Sequence, residues 1–308
     1  MTRQMTIAIT GASGFIGAQL AKRHTKMGDK VRVLSRFYYP NKTGVHCFCG
    51  DLTNTSIDLA GFLNDVDILY HCAGEIKNES LMIPLHVNGT ERLVNAAKGK
   101  IGRWVQLSSV GVYGSYRDGI IVEESNRLPI GMYETTKAAS DNIVKHSGIP
   151  YVILRPSNVF GKGMPNQSLK GLIKAIHKGV FFFIGKKDKS LVNYVHVSDV
   201  VNALVSCGTD DRAVGEDFNL SQLTTVDKMI ASFASGMKSN KKVLRIPESF
   251  VRILVGVVGW IPRFPLTTSR VDALTSKCVY NSTKIQKLLN FKYGMTLEKR
   301  FLLFAQKK

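Results

Sequence analysis

The stretch Gly11-Ala12-Ser13-Gly14-Phe15-Ile16-Gly17 constrains this chain more than any other, because of what stands on either side of it. Before it runs the β-rich Thr6-Ile7-Ala8-Ile9-Thr10. After it, apolar residues recur at Ile16, Leu20, Ala21 and Met27, a helical period over residues 15–27 that ends near Gly28. A glycine-rich turn that closes a strand and opens a helix aims free helix amides at its ligand, and phosphate is the group such an end favours. Gly11 permits the tight turn, Gly14 lets the backbone approach a phosphate, and Gly17 lets the helix lie close to the sheet. The spacing G-x-x-G-x-x-G in this setting predicts a dinucleotide site at Gly11, Ser13, Gly14, Phe15, Ile16 and Gly17.

Further strand-like runs fall at residues 31–34, 46–48, 68–71, 104–107 and 152–154, with helical stretches between them. That rhythm predicts an α/β fold: a Rossmann doubly wound parallel sheet covered on both faces. After Arg155-Pro156 the pattern turns irregular and glycine-rich, with one more strand-like run at 194–197. A smaller interleaved C-terminal α/β substrate domain is therefore expected. Residues 1–155, plus about 191–220, form the dinucleotide-binding domain in this reading, and residues 156–190 and 221–308 the substrate domain.

At the end of the second strand an NAD site would carry an acid for the adenosine ribose. Here Ser35-Arg36 stands instead, and a guanidinium can pair with the 2′-phosphate of NADP. NADP is thus expected to be favoured over NAD.

A formal charge of +19 attracts nucleic acids, acidic lipid surfaces or phosphorylated small molecules. Lysines cluster at Lys186, Lys187 and Lys189, and at Lys238, Lys241 and Lys242, without a helix-turn-helix, a zinc finger or an aromatic stacking pattern beside them. Nucleic acid is therefore not expected as a partner. The apolar stretch 250–261 carries Arg252 and is followed by Pro262 and Arg263, so it falls short of the roughly 20 residues a span requires. It reads as a helix buried in the second domain or a subunit contact, with a membrane surface as the lesser alternative. Five scattered cysteines with no Cys-x-x-Cys pair predict no metal site and suit a reduced, cytoplasmic setting; Cys47 and Cys49 would face the same side of a strand. The N-terminus lacks the pattern of a signal peptide.

Tyr133-Glu134-Thr135-Thr136-Lys137 places a phenol and an ammonium four residues apart, on one helix face. Free tyrosine titrates at about 10, so a neighbouring cation is needed to make it a base at neutral pH. The spacing predicts that Lys137, together with a nicotinamide ring, lowers Tyr133. Leu107-Ser108-Ser109 ends a strand, which sets a hydroxyl at the sheet's carboxyl edge, where open α/β sheets bind ligands.

With these residues in view, the chain resembles the extended short-chain dehydrogenase/reductases, in the NAD-dependent epimerase/dehydratase family. The resemblance runs along nearly the whole length: residues 10–17, Gly50-Asp51-Leu52, His71-Cys72-Ala73-Gly74, Val87-Asn88-Gly89-Thr90, residues 108–114, 133–137, 154–161 and 194–199. It implies that Ser109 hydrogen-bonds the reacting oxygen, that Tyr133 exchanges its proton, and that Lys137 holds the nicotinamide ribose. It further implies cofactor contacts from Ser35, Arg36, Asp51, Leu52, Ala73, Gly74, Asn88 and Pro156, and a substrate contact from Asn158. Homodimers are common in the family, paired through helices around Leu93 and residues 133–143.

Departures from the family pattern narrow the substrate. Dehydratases that resemble this chain place an acidic pair where Val110 and Gly111 stand, which disfavours dehydration. UDP-sugar epimerases carry Arg-Asp where Val192 and Asn193 stand, so the phosphate-gripping charge is expected from Lys186, Lys187 and Lys189 instead. The first reading is a nucleotide-sugar 4-epimerase or 4-ketoreductase of the kind that serves polysaccharide synthesis. The alternatives are an NADP-dependent reductase or dehydrogenase of an unphosphorylated alcohol or ketone, resembling 3β-hydroxysteroid dehydrogenases and dihydroflavonol reductases, and a non-catalytic dinucleotide sensor.

Overall fold

The computed structural model of the chain describes residues 3–36, 44–241, 243–258 and 266–306. Strand β1 (Thr6–Thr10) leads through the glycine turn into helix α1 (Gly17–Met27), which stops at Gly28 in the left-handed conformation. Strands β2 (Lys30–Ser35) and β3 (Val45–Cys49) follow, then α2 (Ala60–Leu63) and β4 (Val66–His71). A π-helical turn (Ile83–Asn88) runs directly into α3 (Gly89–Ala97), ahead of β5 (Ile101–Leu107), β6 (Asp118–Ile121), α4 (Met132–Lys145) and β7 (Tyr151–Pro156). The second half holds β8 (Asn158–Phe160), α5 (Ser168–Lys178), β9 (Phe182–Ile184), β10 (Leu191–His196), α6 (Val197–Thr209) and β11 (Asp217–Leu220). It closes with β12 (Gln222–Thr225), α7 (Val226–Gly236), β13 (Leu244–Ile246), α8 (Glu248–Val258), α9 (Thr268–Thr275), β14 (Lys277–Tyr280), α10 (Thr283–Leu288) and α11 (Leu297–Gln306).

Seven strands form the central sheet in the order β11-β7-β5-β4-β1-β2-β3, every pair parallel. From β1 the chain winds outward to β2 and β3, then returns to β4 on the other side, so a crevice opens beyond the carboxyl ends of β1 and β4. Alternation of side chains along each strand feeds two cores. Ile7, Ile9, Val31, Val33 and Val105 pack on one face with Leu20 of α1 and Leu204 of α6. Ala8, Leu34, Leu69 and Trp104 pack on the other with Leu93, Val94 and Val144. Leu93 of α3 is fully enclosed in the chain's own core.

The rest of the chain builds three small sheets: β12-β10-β8, β13-β9 and β14-β6. Phe160, Phe233 and Phe301 form the centre of their apolar core. Strand β10 pairs with β8 and β12 rather than joining the large sheet, and α6 follows it directly at Val197. The start of the apolar run at 250–261 is α8, whose Val251 and Val255 are buried against Val271. Residues 259–261, Pro262, Arg263 and Lys242 lie outside the described residues. Among the described residues no helix is long and apolar enough to cross a membrane.

Candidate active site

The glycine turn sits at the mouth of the crevice. Gly11 has φ +69°, and a Cβ there would lie 2.6 Å from the Ala73 nitrogen; a Cβ on Gly17 would lie 2.3 Å from the Gly11 carbonyl oxygen. Neither position has room for a side chain, and Gly11 also needs its positive φ. The cleft is lined by Gly11, Ser13, Gly14, Ser35, Arg36, Asp51, Leu52, Ala73 and Gly74, which are expected cofactor contacts, and also by Thr53, Glu75, Leu81 and Leu85. Asp51 additionally accepts from the Thr53 amide at 2.9 Å, a local turn that fixes the loop. The side chains of Phe15 and Ile16 pack away into the two apolar cores, Phe15 beside Phe160 and Phe301 and Ile16 beside Ile9 and Leu20. Pro156 ends β7 inside the sheet, opposite Leu220. Among the described residues no cluster of His, Cys, Asp or Glu could hold a metal ion.

Beyond β5 lies the chemistry. Lys137 is buried, and its Nζ donates to the Leu107 carbonyl at 2.6 Å, which fastens α4 to the end of β5. Burial holds its pKa below the usual lysine range, against the charges of Asp141 and Cys72. Ser109 follows two residues after Leu107, and its Oγ accepts from the Gly111 amide at 3.1 Å, leaving its own proton free to donate. Ser108 is committed elsewhere: its hydroxyl donates to Asp141 Oδ2 at 2.9 Å inside the core. Tyr133 lies in a different setting. Burial, with the charges of Glu134 and Asp141, pushes its phenol up to about 12. The protein alone therefore keeps Tyr133 protonated at neutral pH, because desolvation penalises phenolate and the charges acting on it, those of Glu134 and Asp141, are negative.

Gly111 and Gly131 both make space for one side chain. A Cβ on Gly111 would meet Glu134 Cγ at 2.9 Å, with Ser109 Oγ at 3.4 Å, and one on Gly131 would meet Glu134 Oε2 at 2.3 Å. The Glu134 side chain, from the first turn of α4, thus lies against the backbone of Gly111 and Gly131.

A residue the sequence reading missed faces the tyrosine. Asn88, the expected support, is exposed, whereas His86 on the same π-helical turn is buried with its ring edge-on to Tyr133, centroids 5.7 Å apart. His86 Nε2 accepts from the Glu75 amide at 2.8 Å, so the neutral ring carries its proton on Nδ1 and donates to Thr136 Oγ1 at 2.8 Å. Thr136 in turn donates to the Met132 carbonyl at 2.8 Å. Burial, helped by the Lys137 charge, holds His86 down at about 4, so the ring stays neutral. One histidine thereby joins the loop after Gly74 to the turn of α4 that presents Tyr133.

Beneath it runs a buried chain whose directions are all determined. The Ala73 amide donates to Thr10 Oγ1 at 3.2 Å, and Thr10 donates to His71 Nδ1 at 2.7 Å. His71 Nε2 donates to Thr90 Oγ1 at 3.1 Å, and Thr90 donates to the His86 carbonyl at 2.6 Å. From the other side Trp104 donates to Gln106 at 2.9 Å, Gln106 to Ser140 Oγ at 2.8 Å, and Ser140 to Thr90 at 3.0 Å. Every donor in this chain has one acceptor, which rigidifies the floor of the cleft.

Comparison with known proteins is decided by how much of this frame is shared. The model of the NAD dependent epimerase/dehydratase family matches residues 7–221. The chain belongs to that family. A UDP-glucose 4-epimerase of Vibrio cholerae is 25% identical over 98% of this chain and 94% of its own length. Among solved structures, the UDP-glucuronic acid 4-epimerase of Bacillus cereus in complex with NAD superposes with TM-score 0.74 at 21% identity, covering 98% of this chain and 96% of the other. The Bordetella bronchiseptica enzyme WbmH, in complex with NAD+, gives 0.76 at 19% identity over 99% and 97%.

Where this family member departs from the pattern of UDP-sugar epimerases, the second lobe shows what the substituted residues do. Val192 is buried apolar packing. Asn193 is buried too: its Nδ2 donates to the Cys278 carbonyl at 2.8 Å and its Oδ1 accepts from the Tyr280 amide at 3.2 Å, so it stitches β10 to β14. Asn158 is exposed and donates to the Asn193 carbonyl at 3.2 Å. Lys186 and Lys189 line a cleft with Arg245 and Lys277, and Lys187 lines its neighbour.

Proposed function

We propose that this chain is an NAD(P)-dependent nucleotide-sugar oxidoreductase working at a sugar carbinol, as a 4-epimerase or 4-ketoreductase. The observation that carries the reading is the single edge at which Lys137 is anchored to Leu107, Ser109 keeps a free hydroxyl proton, and Tyr133 is framed by His86, beside the cleft of the glycine turn. The crowding at Gly11 and Gly17, and the position of the glycine turn at the N-terminal end of α1, fit a dinucleotide pyrophosphate. When bound, the dinucleotide supplies the nicotinamide ring that takes or gives the hydride and is positively charged when oxidised.

The chain's own residues handle the proton. Ser109 donates to the reacting oxygen and fixes its position. Tyr133, protonated at rest, delivers its proton to an oxygen that gains charge as a carbonyl is reduced. In the oxidising direction it must shed that proton, and a cation brought beside it offsets the desolvation that holds it up at about 12. Lys137 keeps α4 in register with β5 while presenting its ammonium at the cleft edge.

Incubation with UDP- and dTDP-hexoses tests the reading. An epimerase interconverts C4 epimers with no net change in dinucleotide; a ketoreductase oxidises one reduced dinucleotide per product; turnover of neither kind overturns the proposal. Relatives solved with NAD support the dinucleotide, while Ser35-Arg36 at the end of β2 supports NADP. NADP is expected to bind more tightly than NAD, and Arg36→Ala to remove the difference; equal dissociation constants before mutation would refute this.

A further inference from the structure

Charge on this protein is segregated. Residues 156–190 and 221–308 hold 23 Lys and Arg against 5 Asp and Glu, while the remainder holds 19 against 18. A nucleotide diphosphate needs only a few of those cations. The same lobe also presents an apolar helix face to solvent. On α8, Val251 and Val255 point inward, while Phe250, Ile253 and Leu254 are 61%, 68% and 40% exposed, and Leu244 on the preceding strand is 75% exposed. At the start of this helix, Glu248 and Ser249 share a cleft with Lys186, Lys189, Arg245 and Lys277.

We propose that the exposed face of α8 docks on an anionic lipid surface. An apolar helix stripe that begins beside a lysine-lined cleft, on a strongly cationic part of the chain, suits a membrane interface, where apolar side chains enter the acyl boundary and cations meet the headgroups. Eleven residues of helix are too short to cross a bilayer, so the contact is peripheral. A second copy of the chain is the poorer occupant, because face-to-face pairing would press two strongly cationic lobes together. The inference is independent of the reaction assigned above.

Co-sedimentation of the full chain with vesicles tests it. Vesicles of equal parts phosphatidylcholine and phosphatidylglycerol should pellet the protein at low salt. Binding should be on the order of tenfold weaker on pure phosphatidylcholine or at high salt. The double variant Phe250→Ser with Ile253→Ser should stay in the supernatant while melting and binding dinucleotide like the parent. Any of four results overturns the proposal: no binding to the anionic vesicles, equal binding to both kinds, unchanged binding by the double variant, or a dimer of the parent that the double variant abolishes.

Discussion

The two lobes of this molecule use their ions in opposite ways. In the first, Arg155 is wholly buried and donates to Asp141 Oδ2 at 3.2 and 3.1 Å, to Asp217 Oδ2 at 2.8 Å and to the Tyr113 hydroxyl at 3.1 Å. Its charges nearly cancel across the lobe, and they act as internal struts between α4, β7 and β11. In the second, Arg252 reaches Glu248 at 2.8 Å and Asp272 at 2.9 Å across the surface of α8 and α9, amid a large excess of cations. Buried ions here hold shape, and exposed ones set a field.

That contrast is broken most severely at Arg155. Arg155→Met leaves Asp141 and Asp217 buried without their shared partner and should lower stability by about 3–5 kcal/mol. Arg252→Met, at a solvent-screened pair, should cost below about 1 kcal/mol. Denaturant titration of both variants checks the pair, and equal losses would contradict the distinction.

A pH series sharpens it further. His86 titrates at about 4 in the folded chain against 6.5 unfolded. Between those values the unfolded chain takes up a proton that the folded one refuses, so stability is fully present above about pH 6.5 and declines as pH falls toward 4. The shift corresponds to about 3 kcal/mol, and His71, lowered in the same direction, adds to it. Unfolding measured at pH 7.5 and pH 4.5 should show the loss, and His86→Asn should flatten it; an identical pH dependence in the variant would contradict the assignment.

Much of the first lobe is legible in the sequence because its determinants are local. The strands around the glycine turn follow from runs of β-branched residues, Gly17 is required by the backbone of the turn just before it, and Gly11 by its positive φ. The choice of Ser109 over Ser108 rests on the family resemblance, since both follow the end of β5 at Leu107; the buried Asp141 that claims Ser108 is not legible in the sequence. His86 was hidden because a π-helical turn has a longer period than 3.6 residues, so face assignments made on an α-helical period shift there. The direction of the Tyr133 shift was hidden for another reason: four-residue spacing reports a nearby ammonium, whereas desolvation and Glu134 depend on how the lobe closes over the ring. In the second lobe, β6 with β14 and β9 with β13 pair segments far apart in sequence, and short strands of three or four residues carry little pattern of their own.

The most direct test of the central claim follows the nicotinamide itself. When the oxidised-dinucleotide form is mixed with a nucleotide-sugar that it turns over and followed through a single turnover, the hydride-transfer step should appear as a transient rise in reduced-nicotinamide absorbance. In Tyr133→Phe that signal should form on the order of 10²- to 10⁴-fold more slowly, with dinucleotide affinity unchanged. Equal rates in parent and variant would contradict the role given to Tyr133, and so would a variant that lost rate only because it no longer bound the dinucleotide.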